Sequence, residues 1–176
     1  RNRQGLTLKL VLVINAVMFV VELTAGLLAN SVSLIADSLD MLGDALVYGF
    51  SLYVVARSAR MKAMAALFKG GIMVAFGLFV LGHAGYQILH PELPMYETIG
   101  IIGLLALAAN SLCLALLWRH RSEDINMKSV WLCSRNDVIA NVSVLFAAFG
   151  VWITESGWPD ILIGLVLSLI FLRSGI

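Results

Sequence analysis

The 176 residues are 60% hydrophobic and 13% charged, with a formal net charge of +1 and a mean hydropathy of +0.93. That charged share is about half the usual share in soluble domains, and residues 10–29 and 98–118 show almost no polar face, which excludes a soluble all-helical core protein and leaves an all-α, polytopic membrane protein. The basic residues are scattered over several loops and leave no nucleic-acid footprint, so no nucleic acid is expected as a partner.

Six apolar stretches follow one another, separated by short segments that hold most of the charge. The chain opens on RNRQG, so it reads as a fragment, a processed product or part of something longer, with no signal peptide separable from the first span. That span, 8–28, carries Glu22 slightly outside the bilayer midplane. Glu22 reads either as a neutral acid bonded to a neighbouring helix or as part of a proton path. Asn15, and Asn110 further on, read as interhelical hydrogen bonders. A tight link at 29–31, with Ser31 or Ser33 as the helix cap, leads into the second span, 32–56.

The second span contains SVSLIADSLDMLGDA, in which Asp37, Asp40 and Asp44 are three and four residues apart and stack along one helical face. A charge at that depth costs several kcal/mol unless something meets it. At a rise of about 1.5 Å per residue, Asp44 falls near the midplane, Asp40 about 6 Å further out, and Asp37 within about two turns of the outer surface. Asp37 reads either as a wet, solvated group or as a member of the constellation.

The third span, 70–89, holds Gly70, Gly71, Gly77, Gly82 and Gly85, which permit close helix approach. It also holds His83, either a satisfied core residue or a ligand or proton carrier. The fourth span is 98–118. The fifth, 130–153, brings a second polar pair, Asp137 and Asn141, four apart on one face, with Arg135 near the inner mouth, where it either pairs with Asp137 or leaves it free. Cys113 and Cys133 have no disulfide or zinc-knuckle spacing and read as small buried hydrophobes. The sixth span, 158–172, is short for a crossing of about 20 residues.

The loops set the topology. In this six-span arrangement all 12 basic residues fall on one side: Arg1, Arg3 and Lys9; Arg57, Arg60, Lys62 and Lys69; Arg119, Arg121, Lys128 and Arg135; and Arg173. The opposite loops carry His90, Glu92, Glu97, Glu155 and Asp160 without Lys or Arg. The positive-inside rule then makes both termini cytoplasmic, with residues 1–176 forming a single transmembrane domain. Trp118 and Trp131 near the inner boundary and Trp152 and Trp158 near the outer one agree.

Asp40, Asp44, Asp137 and Asn141 are four oxygen-bearing side chains, the kind of shell a divalent cation takes. The cation neutralises the like charges and replaces their lost water; without it the carboxylates repel one another and take up protons. A site that holds either metal or protons is a chemical basis for exchanging one for the other. Because the nominal depths on the two helices are staggered, all four meet at one point only if the helices cross or tilt.

A glutamate in span one, then SVSLIADSLDMLGDA, then a short acidic motif in span five resembles the cation diffusion facilitator family of divalent metal/proton antiporters. The resemblance covers the transmembrane portion; the family's cytoplasmic C-terminal domain, which commonly supports dimerisation, is not in these residues. It implies that Asp40 and Asp44 take the span-two metal positions, that Asp137 takes the first span-five position, often His in zinc members, and that Asn141 takes the second, usually Asp. An all-oxygen shell favours Mn²⁺ or Fe²⁺ over the usual zinc site, although Zn²⁺ also accepts carboxylates.

The expected function is that of a secondary transporter, not an enzyme. It exports a divalent transition metal (Zn, Fe or Mn) as substrate in exchange for protons, from a homodimer in a bilayer, the expected one being the bacterial inner membrane. Glu22, Asp37, His83 and Arg135 are then candidates for the proton path or the outer shell. The alternatives are a passive cation channel lined by the same acids, or a structural or accessory membrane protein.

Overall fold

A computed structural model describes residues 2–54, 59–119 and 125–175. The expected end of span two at Ala56, and Arg1, Arg57, His120 and Arg121, lie outside the described residues. The described residues form six α-helices: α1 (Asn2–Leu28), α2 (Val32–Val54), α3 (Ala59–Leu89), α4 (Tyr96–Trp118), α5 (Ile125–Thr154) and α6 (Trp158–Gly175). Stretches within α1, α3, α4 and α5 are long and apolar enough to cross a membrane (5–28, 60–89, 96–118 and 131–154). α2 crosses differently: three aspartates interrupt its apolar character, and it is enclosed by protein, with every residue from Ser31 to Leu39 buried.

α1, α2, α5 and α4 pack in that cyclic order, each against the next, with α4 closing back on α1. α3 and α6 pair with each other and both lie against α2, while α6 also reaches α5. The helices are inside-out relative to soluble ones. In α1, Leu10, Val13, Val17 and Val20 face outward, while Val11, Asn15, Met18 and Glu22 are buried at the same helical spacing. α4 does the same, burying Ile99, Gly103, Ala106, Asn110, Cys113 and Leu117. An apolar outside with polar groups turned inward is the arrangement lipid requires.

The start of α2 is fixed by its sequence. α1 ends when Asn30 takes a left-handed conformation (φ 51°), which Asn tolerates better than most residues, and Ser31 N–H reaches back to Gly26 O at 2.9 Å. Ser31 then caps α2, its hydroxyl accepting from Leu34 N–H, as the sequence predicts. A Cβ at Gly26 would sit 2.8 Å from Ile35 Cγ1, and one at Gly164 would sit 2.7 Å from the Val32 carbonyl carbon, so these two glycines admit α1 and α6 against the N-terminus of α2. The glycines of span three behave otherwise. Among these, only Gly77 faces a crowded neighbour, Leu172 of α6; Gly70, Gly71, Gly82 and Gly85 have open space where a Cβ would stand.

Candidate metal centre

The polar residues of α2 and α5 meet in two tiers. In the inner tier, one carboxylate oxygen from each of Asp40, Asp44 and Asp137 lies within 4.8 Å of the others. Asp44 and Asp137 are buried and Asp40 is partly exposed. Among the described residues, Asp40 Oδ2 and Asp137 Oδ2 are sequestered from water with no hydrogen-bond partner. Tyr48, one turn further along α2, aims its hydroxyl at Asp44 Oδ2 from 3.5 Å. Three acids on two helices with oxygens unmet is an unstable arrangement for bare charges and a good one for a cation.

The tier opens on a cavity of about 450 Å³ between α2 and α5 on one side and α3 and α6 on the other. Its wall includes the three acids together with Lys69, Cys133 and Asn136. Cys133 is the residue that sequence reading set aside. It stands four residues before Asp137, hence on the same helical face, and is half-buried instead of lost in a core. That spacing was the available signal.

The outer tier is different in kind. Asn141 donates from Nδ2 to Asp37 Oδ2 at 2.6 Å and accepts at Oδ1 from Asn110 Nδ2 at 2.7 Å. Its amide is thereby engaged at both ends, one helical turn from the three acids. Asp37 is wholly buried, so the solvated reading does not hold; beside it is Glu22 of α1, and among the described residues Asp37 Oδ1 and both Glu22 oxygens are buried with no hydrogen-bond partner. The outer tier is thus Glu22, Asp37, Asn141 and Asn110, drawn from all four helices of the ring.

The stagger anticipated from sequence resolves as a shift of about two turns. Counted from the outer helix ends, Asn141 lies 13 residues from Thr154 and Asp37 five from Val32, about 20 Å and 8 Å. The two nevertheless bond, because α2 begins well below the outer end of α5. Asn141 is therefore level with Asp37, and Asp137 with Asp40 and Asp44. His83 is not on the cavity wall; it is half-buried on α3, stacked on Phe79 with centroids 6.4 Å apart, its Nε2 unpartnered. Arg135 is exposed and lies over the Trp131 ring at 5.9 Å, so its partner is an aromatic face.

At the outer end, Asp160 of α6 clamps the first turn of α2. Its Oδ1 accepts from Ser31 Oγ at 2.7 Å, from Ser33 Oγ and from Ser33 N–H, and its Oδ2 accepts from Val32 N–H at 2.7 Å. Asn30 adds ties to the α3–α4 segment, donating from its side chain to Glu92 and accepting at its carbonyl from Gln87.

Residues 8–176 match the family model described as the cation efflux transmembrane domain. Among curated proteins, the chain is similar to the metal cation efflux system protein CzcD of Cupriavidus metallidurans, 23% identical over 177 residues covering 93% of this chain and 55% of that protein. It is similar to the cadmium, cobalt and zinc/H(+)-K(+) antiporter of Bacillus subtilis, 24% identical over 187 residues, 95% of this chain and 60% of that one. It is also similar to the zinc transporter ZitB of Escherichia coli, 28% identical over 180 residues, 92% and 56%. The chain spans a little over half the length of these relatives.

Proposed function

The chain belongs to the cation diffusion facilitator family of metal cation transporters, and from that premise we propose that it exports a divalent transition metal from the cytoplasm in exchange for protons. The observation that carries this reading is the inner tier: three carboxylates within 4.8 Å, two of their oxygens unmet, on the wall of a cavity. Asp40, Asp44 and Asp137 are the ligands; Asn141, committed to Asp37 and Asn110, steadies the helix that presents Asp137. By the charge sorting of the loops, the basic face is cytoplasmic, and the cavity lies toward that face. Alternating access then carries the cation past the outer tier to the end clamped by Asp160.

The cation is Zn²⁺ ahead of Fe²⁺ and Mn²⁺. The relatives are named for zinc, cadmium and cobalt, and Cys133 adds a softer donor to a wall that sequence reading took as all oxygen. The exchange follows from the same carboxylates: a ligand oxygen that holds a proton cannot hold the metal. Homodimeric assembly and residence in a bacterial inner membrane are parts of this reading.

Vesicles containing the purified protein test it. An imposed proton gradient should drive Zn²⁺ against its own gradient, with Fe²⁺ and Mn²⁺ as separate arms. Dissipation of a metal gradient with no uphill phase would mean a passive channel and would overturn the exchange.

A further inference from the structure

The cavity wall carries one basic residue, Lys69 of α3, opposite the three acids. Lys69 is half-buried and shares the cavity wall with Asp44 and Cys133. Lys69 stands on α3, which packs against α2, whereas Asp44 stands on α2 and Cys133 on α5. The residues around it on α3, Phe68 and Leu67 before it and Gly70 and Gly71 after it, supply no acid of their own, and the apolar part of the wall from α6 is Ile163, Val166, Leu167, Ile170 and Phe171. Among the described residues, the acids of the inner tier are therefore the only anionic groups on the wall that carries this cation.

We infer that Lys69 is a tethered counter-ion of the metal site, one that occupies the field of the three carboxylates when no metal is bound and opposes the cation that replaces it. This rests on the assignment of Asp40, Asp44 and Asp137 as ligands. A fixed positive charge near a site of three carboxylates weakens every cation's binding, and a divalent ion overcomes it where a monovalent ion does not. The weakening serves transport. A cluster of three buried acids without it would hold Zn²⁺ tightly and release it slowly, so Lys69 lowers affinity and speeds turnover. Lysine suits the role: its ammonium is a compact charge on a flexible four-carbon stem, free to swing from the carboxylates as the metal arrives.

The test is Zn²⁺ titration into the purified protein and its variants by calorimetry, with vesicle transport measured in parallel. Lys69→Met should bind Zn²⁺ about tenfold more tightly at low ionic strength, with KM and maximal rate both lower than in the parent. Lys69→Arg should restore the parent's values, and raising salt to about 0.3 M should narrow the gap, since a half-exposed charge is screened. Unchanged or weaker binding in Lys69→Met overturns the proposal, as does a gap that ignores salt. If Lys69→Met does not fold, Lys69→Gln is read by the same criteria, and failure of both to fold makes Lys69 structural. Asp44→Ala separates the two claims: parental affinity there removes the site itself, whereas lost affinity there with an unchanged Lys69→Met removes only the counter-ion.

Discussion

The outer clamp and the inner tier both bury carboxylates, and they are opposites. At the outer end, Asp160 accepts from two serine hydroxyls and two backbone N–H groups, and both of its oxygens are used. In the inner tier, Asp40 and Asp137 each keep a buried oxygen with nothing to accept from. The side chain is the same and the burial similar. What differs is whether the fold supplies donors, and an acid that the fold satisfies is part of the scaffold, whereas one left unmet is kept for something that comes and goes.

The sharpest way to break that contrast is to remove one acid from each place. Asp44→Ala should cost little stability, with Tm within about 3 °C of the parent, because no strong hydrogen bond is lost. Loss of an outer partner lowers metal affinity roughly 10–100-fold, and loss of a ligand lowers it further, so Zn²⁺ titration should show affinity down by at least two orders of magnitude. Asp160→Ala should do the reverse. It leaves two buried hydroxyls and two backbone N–H groups without their acceptor, at a cost of about 3 kcal/mol, while the folded fraction binds Zn²⁺ as the parent does. Denaturant unfolding and titration on the same samples check both halves.

The smaller effect is at the boundary between the two kinds. Asn141→Asp keeps an acceptor for Asn110 but removes the amide that donates to Asp37, leaving two acids face to face. Stability should fall by about 1–2 kcal/mol at neutral pH and recover on acidification, because a proton on either carboxyl restores the missing donor. Zn²⁺ affinity at neutral pH should change far less than in Asp44→Ala. Unfolding curves at two pH values, with titration alongside, check the sign. A large affinity change would put Asn141 back among the ligands.

Much of this was legible in the sequence. Hydropathy and the sorting of all 12 basic residues place six helices, and the three-and-four spacing of the aspartates places them on one face of α2. The register between α2 and α5 was not legible. Depth counted from helix ends assumes that the ends lie level, but the clamp from Asp160 sets the start of α2 deep, and Asn141 is carried past the inner tier to Asp37. The same spacing rule that suggested Asn141, four residues after Asp137, applies equally to Cys133, four before it, and only the packing of α5 on α2 decides between them. Arg135 and His83 were ambiguous for a related reason: sequence says that they are near the inner mouth or inside a span, not which neighbour they turn toward.

The central claim is that the unmet carboxylates exchange protons for metal. Counting the protons released when Zn²⁺ binds, by calorimetry in buffers of different ionisation enthalpy, measures this directly. The account predicts proton release on binding to the parent protein, more at lower pH, with apparent affinity falling as pH falls, and less release in Asp137→Asn, where one proton-binding ligand is gone. Zn²⁺ binding that releases no protons at any pH between about 5.5 and 8, or a release that Asp137→Asn leaves unchanged, would contradict it.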